Sequence, residues 1–327
     1  MTSVAHSERP RVLVARAVFP DIIDLLREVA EVEATPDDAI STPETLRRRL
    51  ADKQGAFITG SERIDAALLD ACPLLRVVST MTVGVDHIDL AACAARGIIV
   101  THAPDVLTET TADFGFALLL AAARRVGEAE RYLRAGQWTK WSVDLFAGAD
   151  IHGATLGIVG MGRIGQAIAR RAALGFDMRV LYHNRNRLSE AIEADCGGAQ
   201  HRALPALLAE SDHVLLALPY SPQAYHLIGA GELALMKPGA TLVNIARGGV
   251  VDEAALAQAL HNGRLGAAGL DVFEGEPAVN PVLLAAPRLV LTPHIASSSL
   301  PTRRAMARLA VDNLLAVLQG RPPLTPV

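Results

Sequence analysis

Three short segments in the second half of the chain each place a chemically versatile side chain where an apolar run ends. They are residues 244–249 with Arg247, residues 269–277 with Glu276, and residues 292–296 with His294. The C-terminal ends of parallel strands are where α/β sheets bind ligands, so these side chains are expected to converge. A cation, an acid and an imidazole brought together suit hydride transfer to a ketone beside a carboxylate.

That chemistry gives each side chain a role. Hydride adds to the carbonyl carbon, charge develops on the oxygen, and a proton must arrive. His294 is the predicted donor, because an imidazole ordinarily titrates near neutral pH, and Glu276 would favour and orient the imidazolium. Arg247 offers a planar fork of donors for the carboxylate. Asp271, nearer the strand end, is predicted to accept a hydrogen bond from a nicotinamide carboxamide.

A glycine-rich loop upstream supplies the cofactor expectation. The sequence GMGRIG, residues 160–165, stands between an apolar strand, 156–159, and a helical stretch, 166–174. In that context glycines serve a tight turn, a close approach of backbone to a pyrophosphate, and a helix–strand contact, and the helix N-terminus faces the phosphates. The predicted backbone contacts are Gly160, Gly162, Arg163, Ile164 and Gly165.

The residues after the next strand predict which dinucleotide binds. An NAD site would place a carboxylate here for the ribose 2′-hydroxyl. This chain instead has Asn184, followed by Arg185 and Arg187, which could pair with a 2′-phosphate. NADP(H) is therefore predicted in preference to NAD(H), with ordinary solvated loop arginines as the alternative interpretation.

Composition narrows the range of partners. The chain has 327 residues, 31 Lys and Arg against 35 Asp and Glu, a formal net charge of −4, and no block of like charge. These values argue against a disordered chain, a nucleic-acid-binding surface and a polybasic membrane anchor. The longest uncharged apolar stretch, 114–123, is about half of the roughly 20 residues that span a bilayer.

The ends of the chain and its cysteines add two further expectations. The N-terminus lacks the signal-peptide pattern, so a cytoplasmic location is expected. Cys72, Cys93 and Cys196 have no CxxC spacing and are interpreted as core residues, so no metal site is predicted.

Short β-branched runs alternate with Ala- and Leu-rich stretches, which predicts an α/β protein with parallel sheets. Strands are predicted at 11–15, 31–34, 56–59, 76–79 and 97–101 and, after a long helix from Thr108, at 155–159, 179–182, 213–218, 241–245, 267–272 and 289–291. The last helix, about 301–318, has no strand left to cross to and is expected to return to the first domain. A substrate-binding domain, residues 1–106 and 293–327, would then be interrupted by a dinucleotide-binding domain, residues 107–292.

From about residue 11 to residue 320 the chain resembles the D-isomer-specific 2-hydroxyacid dehydrogenase family, and within it the glyoxylate/hydroxypyruvate reductases that also take 2-ketogluconate. The motifs are VSTMTVGVDHID at 78–89, PDVLTETTA at 104–112, LGIVGMGRIG at 156–165, ARGGVVD at 246–252, and the segments around Asp271 and His294. The resemblance implies two Rossmann- or flavodoxin-like domains, the cofactor domain being inserted into a discontinuous substrate domain, and a homodimer.

The resemblance also implies roles for single residues. Arg247 would bind substrate, Glu276 would pair with the histidine, and His294 would act as acid and base beside the cofactor. Backbone N–H groups around Val83 and Gly84 would cradle the substrate carboxylate. Further cofactor contacts are predicted at Pro219, Ile245, Ala246 and Asp271.

Together these features predict NADPH-dependent reduction of glyoxylate and hydroxypyruvate, with 2-ketogluconate as a further candidate. Formate or phosphite dehydrogenase is a second interpretation, although formate enzymes of this fold carry glutamine where Glu276 stands. A dinucleotide-sensing binding protein is the third. Trp138 and Trp141 are interpreted either as core residues or as part of a dimer arm that reaches toward the partner's cleft.

Overall fold

The computed structural model describes residues 9–327, which divide into two compact units. Unit 1 comprises the described residues up to Leu107 together with Ser299–Val327, and unit 2 comprises Thr108–Ser298. The second boundary follows residue 298, whereas the sequence placed it after residue 292. The difference has a physical cause, because the backbone N–H groups of His294, Ile295 and Ala296 all bond to Asp271 and tie this segment to unit 2.

Unit 1 begins with alternating short strands and helices. Its elements in chain order are β1 (Arg11–Val14), α1 (Pro20–Arg27), β2 (Glu31–Ala34), α2 (Pro43–Leu50), β3 (Gly55–Ile58), α3 (Ala66–Asp70), β4 (Val77–Thr80), α4 (Leu90–Ala95) and β5 (Ile99–Thr101). The strands form a parallel sheet in the order β2-β1-β3-β4-β5. β3 and β4 are buried along their whole length, as expected of parallel strands covered on both faces.

Unit 2 carries the second strand series. Its elements are α5 (Thr108–Ala123), α6 (Val126–Arg134), β6 (Thr155–Val159), α7 (Arg163–Phe176), β7 (Arg179–His183), α8 (Glu190–Asp195), β8 (Gln200–His201), α9 (Leu204–Glu210), β9 (His213–Leu216), α10 (Ala230–Leu235), β10 (Thr241–Asn244), α11 (Glu253–His261), β11 (Ala267–Leu270), α12 (Pro281–Leu284) and β12 (Leu289–Leu291). These strands form a parallel sheet in the order β12-β11-β10-β9-β6-β7-β8. α5 packs against α7, β10 and β11.

The last helix, α13 (Leu300–Leu318), belongs to unit 1. Ser299 caps it by accepting the Thr302 N–H at 3.3 Å. It packs on β3, β4 and α1, and the Ser79 hydroxyl of β4 donates to the Ala310 carbonyl at 2.9 Å. One helix that covers the first sheet, α13, thus comes from the part of the chain that follows unit 2.

The predicted fold class is confirmed, because the protein is α/β and both of its sheets are parallel. The sequence missed β8, because two residues, Gln200 and His201, are too short a run to show a strand period. Within residues 9–327, no helix is long and apolar enough to cross a bilayer.

Candidate active site

The carboxyl ends of the unit 2 strands bring most of the predicted site residues to one edge of one sheet. The glycine loop follows β6, Asn184 follows β7, Pro219 follows β9, Arg247 follows β10, Asp271 follows β11, and His294 follows β12. All of these strands are parallel, so their following loops share an edge. Strand order reverses between β6 and β9, which is where open α/β sheets bind ligands.

The glycine loop fits a dinucleotide pyrophosphate. Gly160 has φ +98°, and a Cβ there would stand 2.7 Å from the backbone of Ala217. A Cβ at Gly165 would stand 2.3 Å from the Gly160 carbonyl oxygen, so only glycine lets α7 approach β6 this closely. A Cβ at Gly162 would meet nothing within 4 Å, so the space in front of the loop is open to a ligand. The N-terminus of α7 faces that space with its partial positive charge.

Asn184 and Arg185 lie at the end of β7 as predicted from the sequence. The Asn184 side-chain oxygen accepts the Met161 N–H at 2.7 Å, so this residue joins the end of β7 to the glycine loop. With this oxygen engaged, the side-chain nitrogen of Asn184 is left as a hydrogen-bond donor. Arg185 is exposed and, within residues 9–327, has no hydrogen bond or ion pair.

Arg187 differs from Arg185, because two of its donors already bind a carboxylate. Its Nε lies 2.9 Å and its Nη2 2.7 Å from the two carboxylate oxygens of Glu193. Glu193, 7% exposed, also accepts the Tyr182 hydroxyl at 2.6 Å. The Arg187 fork and the Tyr182 hydroxyl hold the pKa of Glu193 at about 2. The Nη1 donors of Arg187 have no partner in the described part of the chain, so its contact with a 2′-phosphate stays a prediction.

His294 and Glu276 form the pair that the sequence predicted. The His294 Nδ1 lies 2.7 Å from the Glu276 Oε2, and the two side chains are 50% and 32% exposed. The other oxygen of Glu276 accepts the Phe273 N–H at 2.8 Å. Burial alone would raise the pKa of Glu276, but the hydrogen bonds from His294 and Phe273 and the charge of Arg247 together hold it below its usual value. The carboxylate is therefore ionised at neutral pH.

Asp271 holds the backbone of the loop that carries His294. Its carboxylate accepts the Thr292 hydroxyl at 2.7 Å and the N–H groups of Ile295 and Ala296 at 2.9 and 2.8 Å. These bonds hold His294 in a left-handed conformation, with φ +52°. Asp271 is fully buried, and burial raises its pKa. All three bonds are with protein groups, and the contact of Asp271 with a nicotinamide carboxamide stays a prediction.

A short turn after β10 presents Arg247. The buried side chain of Asn244 accepts the Ala246 N–H at 2.9 Å and donates to the Arg247 carbonyl at 2.8 Å. A Cβ at Gly248 would stand 1.8 Å from the Phe273 carbonyl carbon, so glycine is what allows this turn to lie against the segment leading to Glu276. The Arg247 guanidinium is close enough to lower the Glu276 pKa.

The other predicted cofactor contacts differ in exposure. Pro219 is exposed, whereas Ile245 and Ala246 are 9% and 4% exposed. The side chain of Ile245 belongs to the core cluster beneath the sheet. Any cofactor contact at 245 and 246 is therefore expected from the backbone.

Unit 1 holds the remaining predicted substrate residues, Val83 and Gly84, in the loop after β4. Their carbonyl oxygens accept hydrogen bonds from the His102 Nδ1 at 3.0 Å and from the Thr82 hydroxyl at 2.7 Å. Their N–H groups have no acceptor in the described part of the chain. The loop is thus held from its carbonyl side while its donors stay available to an anion.

Sequence reasoning missed Asn244 and Thr292, which hold the turns that carry Arg247 and His294. Each is a polar residue at the end of an apolar strand, and that signal could have identified both. Across residues 9–327, no group of three His, Cys, Asp or Glu side chains is arranged to hold a metal ion.

Comparison with known proteins then decides the family. The sequence model described as "D-isomer specific 2-hydroxyacid dehydrogenase, NAD binding domain" matches residues 116–296, more than half of the chain. This protein belongs to the D-isomer-specific 2-hydroxyacid dehydrogenase family. It is accordingly an oxidoreductase that binds a nicotinamide dinucleotide.

Relatives within this dehydrogenase family match almost the whole chain. A glyoxylate reductase from Thermococcus gammatolerans is 46% identical over 97% of this chain and 95% of its own length. A solved Thermus thermophilus protein is 46% identical, with a TM-score of 0.89, over 97% of this chain and 99% of the other. An NADPH-dependent glyoxylate/hydroxypyruvate reductase from Sinorhizobium meliloti, solved with NADP and malonate, is 37% identical, with a TM-score of 0.85, over 98% of this chain and 97% of the other.

Proposed function

We propose that this dehydrogenase reduces small 2-keto acids, glyoxylate and hydroxypyruvate first among them and 2-ketogluconate as a larger candidate, with NADPH preferred to NADH. The observation that carries the proposal is the 2.7 Å contact between the His294 Nδ1 and Glu276, with Arg247 beside them. The relatives named glyoxylate reductases support the same substrate class. A cytoplasmic location stays a prediction.

The His294–Glu276 pair determines which ring nitrogen handles the proton. Because the Nδ1 faces a carboxylate, it carries a hydrogen in both charge states of the ring. The Nε2 therefore gains and loses the catalytic proton. In the reduction direction the protonated Nε2 donates to the oxygen of the keto group as negative charge develops there. In the reverse direction the neutral Nε2 accepts the hydroxyl proton.

The glycine loop and the sheet edge would hold NADPH, which supplies the hydride when bound. The hydride electrons form the new C–H bond, the carbonyl π electrons move to oxygen, and the proton from His294 completes the hydroxyl group. Arg247 would bind the substrate carboxylate and fix which face of the ketone receives the hydride. Binding of a substrate carboxylate by the N–H groups of Val83 and Gly84 stays a prediction.

A substrate panel tests this function. Glyoxylate, hydroxypyruvate, 2-ketogluconate and pyruvate are each assayed with NADPH and with NADH, and phosphite and formate are assayed in the oxidative direction. The expected result is the highest kcat/KM with glyoxylate or hydroxypyruvate and NADPH. Phosphite oxidation without keto acid reduction would replace this proposal, and dinucleotide binding without any turnover would favour a sensing protein.

The preference for NADPH is expected to depend on Arg185. Replacing it by alanine removes an exposed guanidinium from the end of β7, so kcat/KM with NADPH should fall about 10- to 100-fold, as for loss of a charge-assisted contact. The kcat/KM with NADH should change less than about threefold. Steady-state kinetics with both cofactors measures this, and equal losses with the two would contradict the proposed 2′-phosphate contact.

Arg187 provides the matched control. Arg187→Met removes a guanidinium two residues away that is already paired with Glu193, so it is expected to change the NADPH/NADH ratio of kcat/KM less than Arg185→Ala does. Its effect should appear in stability. The folded pKa of Glu193 is about 2, below its ordinary 4.5, so the pair stabilises the fold above pH 4.5 and loses that effect as pH falls toward 2. Urea unfolding at pH 7 and at pH 3 should therefore give a larger difference between the variant and wild type at pH 7.

The homodimer is proposed from an exposed segment of unit 2. Trp138, Trp141 and Val143 are 55%, 75% and 85% exposed, in a chain that has only two tryptophans. Such a cluster of large apolar side chains is typical of an interface with another protein. Sedimentation should give a dimer for the wild type and a weaker dimer when Trp138 and Trp141 are both serine. An unchanged association constant would argue against this segment as the interface.

A further inference from the structure

The loop that carries Glu276 has no regular structure of its own. It runs from the end of β11 to the start of α12, residues 271–280. Glu276 must nevertheless be held within a few tenths of an ångström if it is to orient an imidazole, because small misplacements of catalytic groups reduce rates strongly. The side chains that hold this loop are therefore candidates for a role in the reaction.

Glu253 holds the loop at two points on either side of Glu276. This residue opens α11 and is 4% exposed. Its carboxylate accepts the Glu274 N–H at 2.7 Å, and it also hydrogen-bonds the side chain of Asn280. Asn280 in turn caps α12, accepting the Val282 N–H at 3.2 Å. The single buried carboxylate thus joins the two ends of the Glu276 segment to one rigid helix.

The helix itself does not require an acid at this position. Asp252 already caps α11 by accepting the Ala255 N–H at 3.0 Å. Burying a carboxylate is unfavourable unless its oxygens are hydrogen-bonded, and burial raises the pKa of Glu253 while the Glu274 N–H opposes that shift. Because α11 does not need this buried acid, the hydrogen bonds that the Glu253 oxygens accept explain its presence.

We propose that Glu253 is a positioning residue for the reaction: it fixes the peptide between Phe273 and Glu274, and through it the Glu276 carboxylate that orients His294. The Phe273 N–H donates to Glu276 at 2.8 Å while the next N–H along the chain, that of Glu274, donates to Glu253. The two carboxylates therefore hold successive N–H groups of one turn. This inference rests on the proposed function only for its kinetic consequences.

The test compares Glu253→Ala with Glu253→Gln. Alanine removes both bonds and should lower kcat for glyoxylate about 10- to 100-fold, with the dissociation constant for NADPH changed less than about twofold. Glutamine keeps an oxygen that can accept the Glu274 N–H and should restore most of the rate. The acid limit of kcat/KM should move to higher pH in the alanine variant, because a misplaced Glu276 loses the hydrogen bonds that lower its pKa.

Glu232→Ala is the matched control. Glu232 also accepts a backbone N–H at a helix start, that of Gly229 at 3.1 Å, but it lies on α10 and outside the Glu276 loop. Glu232→Ala should lower the melting temperature and leave the acid limit of kcat/KM unchanged. If Glu253→Ala changes only the melting temperature, as Glu232→Ala does, the positioning role is overturned. Should Glu253→Ala not fold, Asn280→Ala cuts the second contact and is judged by the same criteria.

A readout independent of turnover separates this inference from the proposed function. The ring proton signals of His294, recorded by NMR in the cofactor-free protein at one fixed pH, should shift in Glu253→Ala relative to wild type and Glu232→Ala, because Glu276 lies 2.7 Å from the ring. Unshifted signals overturn the inference even if the wild type reduces glyoxylate. A shift in Glu253→Ala alone supports it even if the true substrate is not a keto acid.

Discussion

Replacing His294 by asparagine is expected to lower kcat for glyoxylate reduction by about 10²–10⁴-fold, the range for loss of a general acid. The reason is geometric: the Nδ1 of His294 is occupied by Glu276 at 2.7 Å, which leaves the Nε2 for the proposed proton transfer. Asparagine suits the test because, unlike most residues, it tolerates the left-handed backbone found here, with φ +52°. A large loss with this residue therefore reports on the imidazole rather than on a strained loop.

NADPH binding, followed by fluorescence titration, is the control for His294→Asn. The dissociation constant should stay within about threefold of the wild-type value, because the cofactor phosphates are proposed to bind at the glycine loop, away from His294. The kcat of Glu276→Gln should lie between those of wild type and His294→Asn, since the imidazole remains but loses its carboxylate partner. A kcat for His294→Asn within tenfold of wild type would remove His294 from the proton transfer.

Glu276 is expected to set the acid limit of activity. Its pKa lies below the ordinary 4.5 because the bonds from His294 and Phe273 and the charge of Arg247 outweigh burial. The carboxylate therefore stays ionised, and the pair stays formed, above pH 4.5, and the pair is lost as pH falls through the lowered value. Initial rates measured rapidly after a pH jump should accordingly decline only below pH 4.5.

The features that could be predicted from the sequence are those set by local pattern. A glycine loop between a strand and a helix, and polar residues directly after apolar strands, locate Gly160, Arg247 and His294 without knowledge of the contacts. Parallel pairing then brings the strand ends to one edge. The return of α13 to the first sheet follows from counting strands, because a helix after the last strand of one series has no further strand to lead to.

The features that could not be predicted depend on which partner a side chain finds in the fold. Arg185 and Arg187 look alike in sequence, but only Arg187 meets the carboxylate of Glu193, one helix later. Asp271 follows a strand, where a ligand-binding acid is expected, but its carboxylate oxygens accept backbone N–H groups of the loop that carries His294. Neither choice leaves a periodic or local signal, because each is decided by tertiary packing.

Replacing Arg247 by methionine is expected to lower kcat/KM for glyoxylate about 10²–10³-fold, in line with the roughly 2–5 kcal/mol lost when one partner of a buried charge pair is removed. The turn that carries Arg247 is fixed by Asn244 and by the close approach of Gly248 to Phe273, so the methionine side chain should occupy the same place without moving Glu276. Arg247→Lys should recover only part of the loss, because an ammonium group cannot make a two-pronged contact with a carboxylate.

A substrate without a carboxylate distinguishes binding from positioning. Glycolaldehyde has the size of glyoxylate but no acid group, so its low kcat/KM should be nearly the same in wild type and Arg247→Met if Arg247 acts on the carboxylate. Equal losses for both substrates would mean instead that Arg247 acts through Glu276, whose pKa its charge helps to lower. In that case the acid limit of activity in Arg247→Met should move to higher pH, since Glu276 would protonate more readily.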